Sequence, residues 1–250
     1  FTQHLYKPEE KQVIPLSTRM RPSKLEDFVG QEHFMYPGSL FYNSIKNKTF
    51  DSAIFFGPSG TGKTTLARII AREMDGKFYE INASTTGTKE LKELIERAQD
   101  SFYGLENKTT YVYIDEFHRW NKLQQDSLLK ALEEGVIKFI GSTTENPYFA
   151  VNNAIISRVR NIYEFKRLTP DNLITIIKRA LTDREKGFGN LDIKYDEEAL
   201  RTLAELSNGD ARVALDAVGF MVDNLNEGQA IDNKIVSEAM QRKIGFYDKG

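Results

Sequence analysis

Cysteine is absent from the 250 residues. That excludes disulfides, thiolate metal sites and a thiol nucleophile, and it suits a reducing interior. Histidine is scarce: His4, His33 and His118 are too scattered to suggest a metal cluster. Neither sign of charge is in excess, with 34 Lys and Arg against 36 Asp and Glu, so the basic surplus that often marks a nucleic-acid binder is missing. No apolar run approaches the ~20 residues of a membrane span, no charged-then-apolar leader opens the sequence, and no membrane partner is expected. The first residue is Phe1 rather than Met, so a fragment of a longer protein is expected.

What is present is an ordinary globular composition, 40% hydrophobic and 28% charged, at a length that suits one large domain or two small ones. Residues 1–24 carry Pro8, Pro15 and Pro22 without clear periodicity and read as an extended N-terminal arm. From 25 to 168 the pattern alternates. Strands are expected at 53–56, 77–81, 110–114, 136–141 and 161–166, and helices near 64–74, 88–100 and 121–134. Leu66, Ile69, Ile70 and Met74 fall on one face of the first of these helices. Such alternation predicts βαβ units and a parallel sheet covered on both faces. Sheets of that kind bind ligands beyond the carboxyl ends of their strands. Over 169–250 the pattern is helical only, predicting a small helical domain. Its helices start at Thr169-Pro170, where Thr caps and Pro opens the first turn, near 197–206, after Asp210, and near 233–243.

Directly after the first strand stands GPSGTGKTT, which satisfies G-x-x-x-x-G-K-[ST]. The loop residues Gly57, Pro58, Ser59, Gly60, Thr61, Gly62, Lys63, Thr64 and Thr65 are the candidate nucleotide-phosphate site. The glycines let backbone N–H groups turn inward as a cradle for phosphate oxygens, and the following helix adds its positive end. Lys63 is the candidate partner of the β- and γ-phosphates. Thr64 offers its hydroxyl to Mg²⁺.

The stretch 111–122, YVYIDEFHRWNK, ends an apolar run in two adjacent carboxylates. Burying even one unpaired carboxylate is costly, so the pair needs either solvent or a positive partner. In P-loop NTPases an acidic residue at the end of a second apolar strand holds the Mg²⁺. Asp115 fits that role, and Glu116 is placed to polarise a water attacking the γ-phosphate. ATP and Mg²⁺ are therefore the expected cofactors. The alternative, a solvent-facing pair capping the next segment, remains open at this point.

Four stretches, TRMRPSKLEDFVGQEH (18–33), GPSGTGKTTLA (57–67), DEFHRWNKLQQDSLLKALEEG (115–135) and IGSTTENPYFAVNNAIISR (140–158), together resemble the RarA/MgsA family of AAA+ ATPases, the replication-associated recombination proteins. Ser59 and Lys130 depart from that family's pattern, which has Pro at both places, and Trp120 stands where Phe is expected. The resemblance implies a P-loop α/β core with a helical lid, and a further helical region for oligomerisation beyond residue 250. It implies that Thr144 orients the attacking water, that Arg158 is an arginine finger offered to a neighbouring subunit, and that Arg212, in GDAR, reports γ-phosphate loss to the lid. Met20, Arg21, Val29 and Gly30 match the stretch around adenine. Thr143 competes with Thr144, and Arg160 with Arg158. His33, His118 and Trp120 read as structural residues rather than ligands.

The function so implied is a DNA-dependent ATPase of replication-fork maintenance and recombination. It would act as a homo-oligomer in the cytoplasm on single-stranded or forked DNA, with replication proteins such as single-strand-binding protein as partners. Two alternatives are a nucleotide-gated assembly module and a clamp-loader subunit or branch-migration motor. The DNA partner rests on resemblance. Residues 1–24 hold five basic and two acidic residues, and 151–187 hold eight and four, excesses that are ordinarily solvated faces.

Overall fold

The computed structural model describes residues 14–105, 107–159 and 161–247, the last six of them by backbone alone. In chain order the elements are α1 (Leu16–Arg19), α2 (Leu40–Lys46), β1 (Ala53–Phe56), α3 (Lys63–Glu73), β2 (Lys77–Asn82), α4 (Thr88–Tyr103), β3 (Thr110–Asp115), α5 (Lys122–Glu133), β4 (Ile137–Thr143), α6 (Pro147–Ala150), α7 (Asn153–Val159) and β5 (Asn161–Glu164). The helices α8 (Pro170–Thr182), α9 (Glu197–Leu206), α10 (Ala211–Asn224) and α11 (Asn233–Tyr247) follow.

All five strands pair in parallel, in the order β2-β3-β4-β1-β5. The expected α/β class is therefore the observed one. Strand alternation divides the apolar side chains between the two faces of the sheet. Ile54, Val112, Ile114 and Phe139 pack under α4, α5 and α7. Ala53, Phe55, Tyr111, Tyr113 and Ile140 face α2 and α3. Burial on both sides explains why β1 and β3 read as near-continuous apolar runs.

The four C-terminal helices build a separate core around Leu173, Ile177, Leu200, Leu203, Val218 and Met221. Of residues 1–24, expected as an extended arm, the described part, 14–24, departs from that expectation. Leu16 and Met20 are buried in this helical core, and α1 packs on α10. Residues 1–13 lie outside the described residues. A four-residue helix held by two side chains leaves too short a periodic signal to be read from sequence.

Register decides where the chemistry collects. Phe56 pairs with Thr143 and Ile114 with Gly141, so the ends of β1, β3 and β4 finish within about a residue of one another. Two strand spacings of about 4.8 Å put Asp115 roughly 10 Å across the sheet from the loop that leaves β1.

Candidate functional site

The loop after β1 owes its shape to close approaches that only glycine permits. At Gly57, φ is 139° and an added Cβ would lie 2.1 Å from the Phe165 carbonyl oxygen. At Gly60, φ is 69° and the same atom would lie 1.8 Å from Asp210 Oδ1. Gly60 is thus wedged against the lid, and its carbonyl accepts a hydrogen bond from Ala211 N–H at 2.9 Å. Asp210 caps α10 by accepting from the N–H groups of Arg212 and Val213. Gln31 fastens the loop from behind: its buried amide donates to Thr61 O at 3.2 Å and Lys166 O at 2.8 Å, and accepts from Lys166 N–H.

Lys63 opens α3 and its side chain turns back into the loop, donating to Gly57 O at 2.8 Å and Pro58 O at 2.7 Å. Burial pulls its ammonium down to about 8, with Asp115 and Asp210 opposing the fall and Arg212 adding to it. Burial also lowers the half-buried Arg21, beside Arg68 and Arg212. Arg21, Lys63 and Arg212 thus enter one cleft from three elements, and their mutual repulsion is what an anion would relieve.

One side of that cleft is mostly apolar, lined by Met20, Phe28, Val29, Leu168, Ile176 and Leu215, with the loop residues 60–65 at its floor. Of the four residues expected around a base, Met20, Arg21 and Val29 line it. Gly30 stands behind, packed on Leu168. The other side carries Ser59, Lys63, Thr64, Asp115, Glu116 and Thr144, with Thr143 and Arg212 at its rim. Thr65 lies on the apolar side.

Thr64 Oγ1 lies 3.0 Å from the Tyr113 hydroxyl, and Ser142 donates to Asp115 Oδ1 at 2.5 Å. Hydroxyl and carboxylate oxygens are hard donors, and Mg²⁺ is ordinarily held by one or two such groups with phosphate oxygens completing its shell. The pair Thr64 and Asp115 fits that ion. Among the described residues no group of three or more His, Cys, Asp or Glu side chains forms an all-protein cage.

Glu116 has φ 53° and ψ 39°, a conformation uncommon for a side-chain-bearing residue and one that concentrates at functional sites. It turns the carboxylate toward Ser84, whose hydroxyl donates to Glu116 Oε2 at 2.5 Å. The sequence reading missed Ser84 and Gln31, whose hydrogen-bond partners lie 30 or more residues away, and the approach of Asp210 to Gly60, 150 residues away. Only Asp210, in the quoted GDAR, carried a local signal.

Thr143 is buried and bonded to His118 Nδ1 at 2.9 Å and to Glu145 N–H at 3.0 Å, whereas Thr144 is exposed to the cleft. His33 bonds Glu164 O at 2.8 Å. Trp120 is buried and donates to Thr86 O. Arg158 is not in this cleft. It lies on α7, exposed, donating to Leu132 O at the end of α5, and its charge acts on Asp51 before β1. It therefore sits beyond the opposite, N-terminal edge of the sheet. Arg160 lies outside the described residues.

Residues 53–167 match the ATPase family associated with various cellular activities (AAA), and 189–250 match the AAA C-terminal domain. The chain is 41% identical over 238 residues to replication-associated recombination protein A of Haemophilus influenzae, covering 94% of this chain and 53% of that protein. With the Escherichia coli K12 protein of the same name it shares 43% identity over 209 residues, 84% of this chain and 46% of that one. The chain thus spans about half the length of these relatives. Among solved structures, the Thermotoga maritima RuvB Holliday junction branch migration motor superposes with a TM-score of 0.73 at 26% identity, over 89% of this chain and 72% of that one. A five-stranded parallel core with a phosphate loop after β1, which lies between β4 and β5, a helical lid resting on that loop, and these likenesses together place the chain in the AAA+ ATPase family, as a homologue of replication-associated recombination protein A.

Proposed function

We propose that this chain is the ATP-hydrolysing part of a protein of replication-fork maintenance and recombination, with a core over 25–168 and a lid over 169–250. The adenine would occupy the apolar side of the cleft beside Met20, Arg21 and Val29, and the triphosphate would follow residues 57–65 toward Asp115. The observation that carries this reading is the convergence of Lys63, Thr64, Asp115 and Glu116 on one cleft from two separate parallel strands and the segments that follow them. Mg²⁺, when bound at Thr64 and Asp115, neutralises charge developing on the phosphates.

Lys63 carries the ammonium that meets the β- and γ-phosphates, exchanging two backbone carbonyls for phosphoryl oxygens. Glu116, released from Ser84, accepts a proton from the attacking water, and Thr144 holds that water from the far side. Arg212 joins the γ-phosphate to the lid, and the Ala211–Gly60 hydrogen bond carries lid position to the loop. Arg158 faces away from its own cleft, which supports a role toward the cleft of a second copy in a homo-oligomer. An arginine supplied in trans can be worth about 10³–10⁵ in rate. Glu116 and Arg158 favour turnover over a nucleotide-gated assembly module that binds without hydrolysis.

Single-stranded or forked DNA as activator, replication proteins such as single-strand-binding protein as partners, and a cytoplasmic location complete the proposal. The relatives' names support a part in replication and recombination, and their bacterial origin supports the location. Among the described residues, no helix is long and apolar enough to cross a membrane. The test is steady-state phosphate release by the full-length protein against single-stranded, duplex and forked DNA. Stimulation by the forked or single-stranded ligand is expected. Turnover indifferent to all three would remove DNA from the account.

A further inference from the structure

Between Thr64 and Asp115 stand two hydroxyls, neither of which belongs to the phosphate loop or to the acidic pair. Tyr113, on β3, is fully buried, and so is Ser142, on β4. Thr64 Oγ1 lies 3.0 Å from Tyr113 OH, and Ser142 Oγ lies 2.5 Å from Asp115 Oδ1. Tyr113 pairs with Ile140, so Ser142, two positions further along β4, stands on the same face of the sheet, where its hydroxyl acts on that of Tyr113. The four groups form a continuous chain across β3, β4 and the start of α3.

The direction of that chain is fixed at one end. An ionised carboxylate only accepts, so Ser142 must spend its single proton on Asp115. Ser142 can then only accept from Tyr113, and Tyr113, having given its proton to Ser142, can only accept from Thr64. Thr64 in turn gives its proton inward, and its remaining lone pairs face the cleft. A hydroxyl whose proton is committed away from the cleft is the form that can ligate a cation. Chains of this kind also polarise one another, so each bond strengthens its neighbours.

We propose that Tyr113 and Ser142 are positioning residues for the divalent cation: they hold the Thr64 hydroxyl in its metal-accepting orientation and tie it to Asp115, the other ligand. This rests on the nucleotide-binding reading above. Outer partners that orient metal ligands typically cost about 10–100-fold in metal affinity when removed. Tyr113 therefore does more than fill space beside Phe78, whose ring stacks on it at 6.2 Å between centroids. That stacking needs the ring alone and would survive loss of the hydroxyl.

The experiment uses a fluorescent adenosine diphosphate and follows its binding equilibrium, without any turnover, as Mg²⁺ is titrated. Tyr113→Phe keeps the ring and deletes one oxygen. It is expected to raise the Mg²⁺ half-saturation about 10-fold or more, while affinity for the nucleotide in chelator stays within twofold of wild type. Ser142→Ala should give a similar shift, and the double variant no more than the larger single effect, because either change breaks the same chain. An unchanged Mg²⁺ half-saturation in both variants overturns the inference. So does an equal loss of affinity with and without Mg²⁺, which would mark a purely structural role. If wild type binds no nucleotide under either condition, the underlying reading fails first, and this one with it.

Discussion

Gly60→Ala is the most informative single change, because it tests the contact through which lid and phosphate loop meet. The backbone there is left-handed, φ 69°, which costs a residue with a Cβ roughly 1–2 kcal/mol. The new methyl would overlap Asp210, whose nearest oxygen is 1.8 Å from the ideal Cβ. The lid must therefore move, forfeiting the Ala211–Gly60 hydrogen bond, about 1 kcal/mol. The Asp210 side chain must also give up its cap on α10, about another 1 kcal/mol. The sum is roughly 3–4 kcal/mol by these increments. At about 2–4 °C per kcal/mol for a chain of this size, the melting temperature should fall by roughly 6–16 °C.

The assay is thermal denaturation, with nucleotide affinity measured alongside, since Arg212 follows Asp210 by two residues and would move with it. Adding Asp210→Gly removes the overlapping carboxylate at little capping cost, because glycine is itself a tolerable cap. The double variant should recover roughly 1–2 kcal/mol while keeping the left-handed penalty. A single variant melting within 2 °C of wild type by this scale, or a double variant showing strictly additive loss, would refute the argument that lid and loop are in direct contact.

Glu116→Gln should leave ATP affinity within a fewfold of wild type while lowering turnover about 10²-fold or more, in a phosphate-release assay paired with a binding titration. Wild-type turnover in that variant would assign the base elsewhere. Ser84→Ala removes the only hydrogen bond described to the Glu116 carboxylate, and should raise basal turnover without DNA by a fewfold; a fall would mean that Ser84 aids the water instead. Arg158→Ala should depress turnover without weakening nucleotide binding. Mixing it with Glu116→Gln should restore part of the activity, since Arg158 lies beyond its own cleft; no recovery in mixed oligomers would count against action between copies. Free Lys63 titrates at about 8, and phosphate beside it raises that value, so binding takes up a proton. Affinity in chelator should hold below pH 8 and fall about tenfold per unit above it. The same depression opposes folding below pH 8, and that opposition is relieved between 8 and 10.5.

The phosphate loop was legible in nine consecutive residues, because its chemistry is local: three glycines, a lysine and a hydroxyl whose spacing is itself the site. Strand and helix positions followed from periodicity for the same reason, and the helix over 197–206 and strand over 53–56 emerge at the expected bounds. Asp115 was identifiable because a carboxylate ending an apolar run is energetically conspicuous. Sequence could not show that Leu16 and Met20 belong to the lid core, since their partners lie about 150 to 200 residues away. Nor could it show which side of the molecule Arg158 faces, because a helix of seven residues carries no information about the sheet edge it reaches. The hydroxyl chain through Tyr113 and Ser142 is the sharpest case. In the sequence both are ordinary strand residues, 29 positions apart. Parallel pairing sets Tyr113 against Ile140, two positions before Ser142 on the same face of the sheet, and only that proximity gives the Thr64 proton a direction.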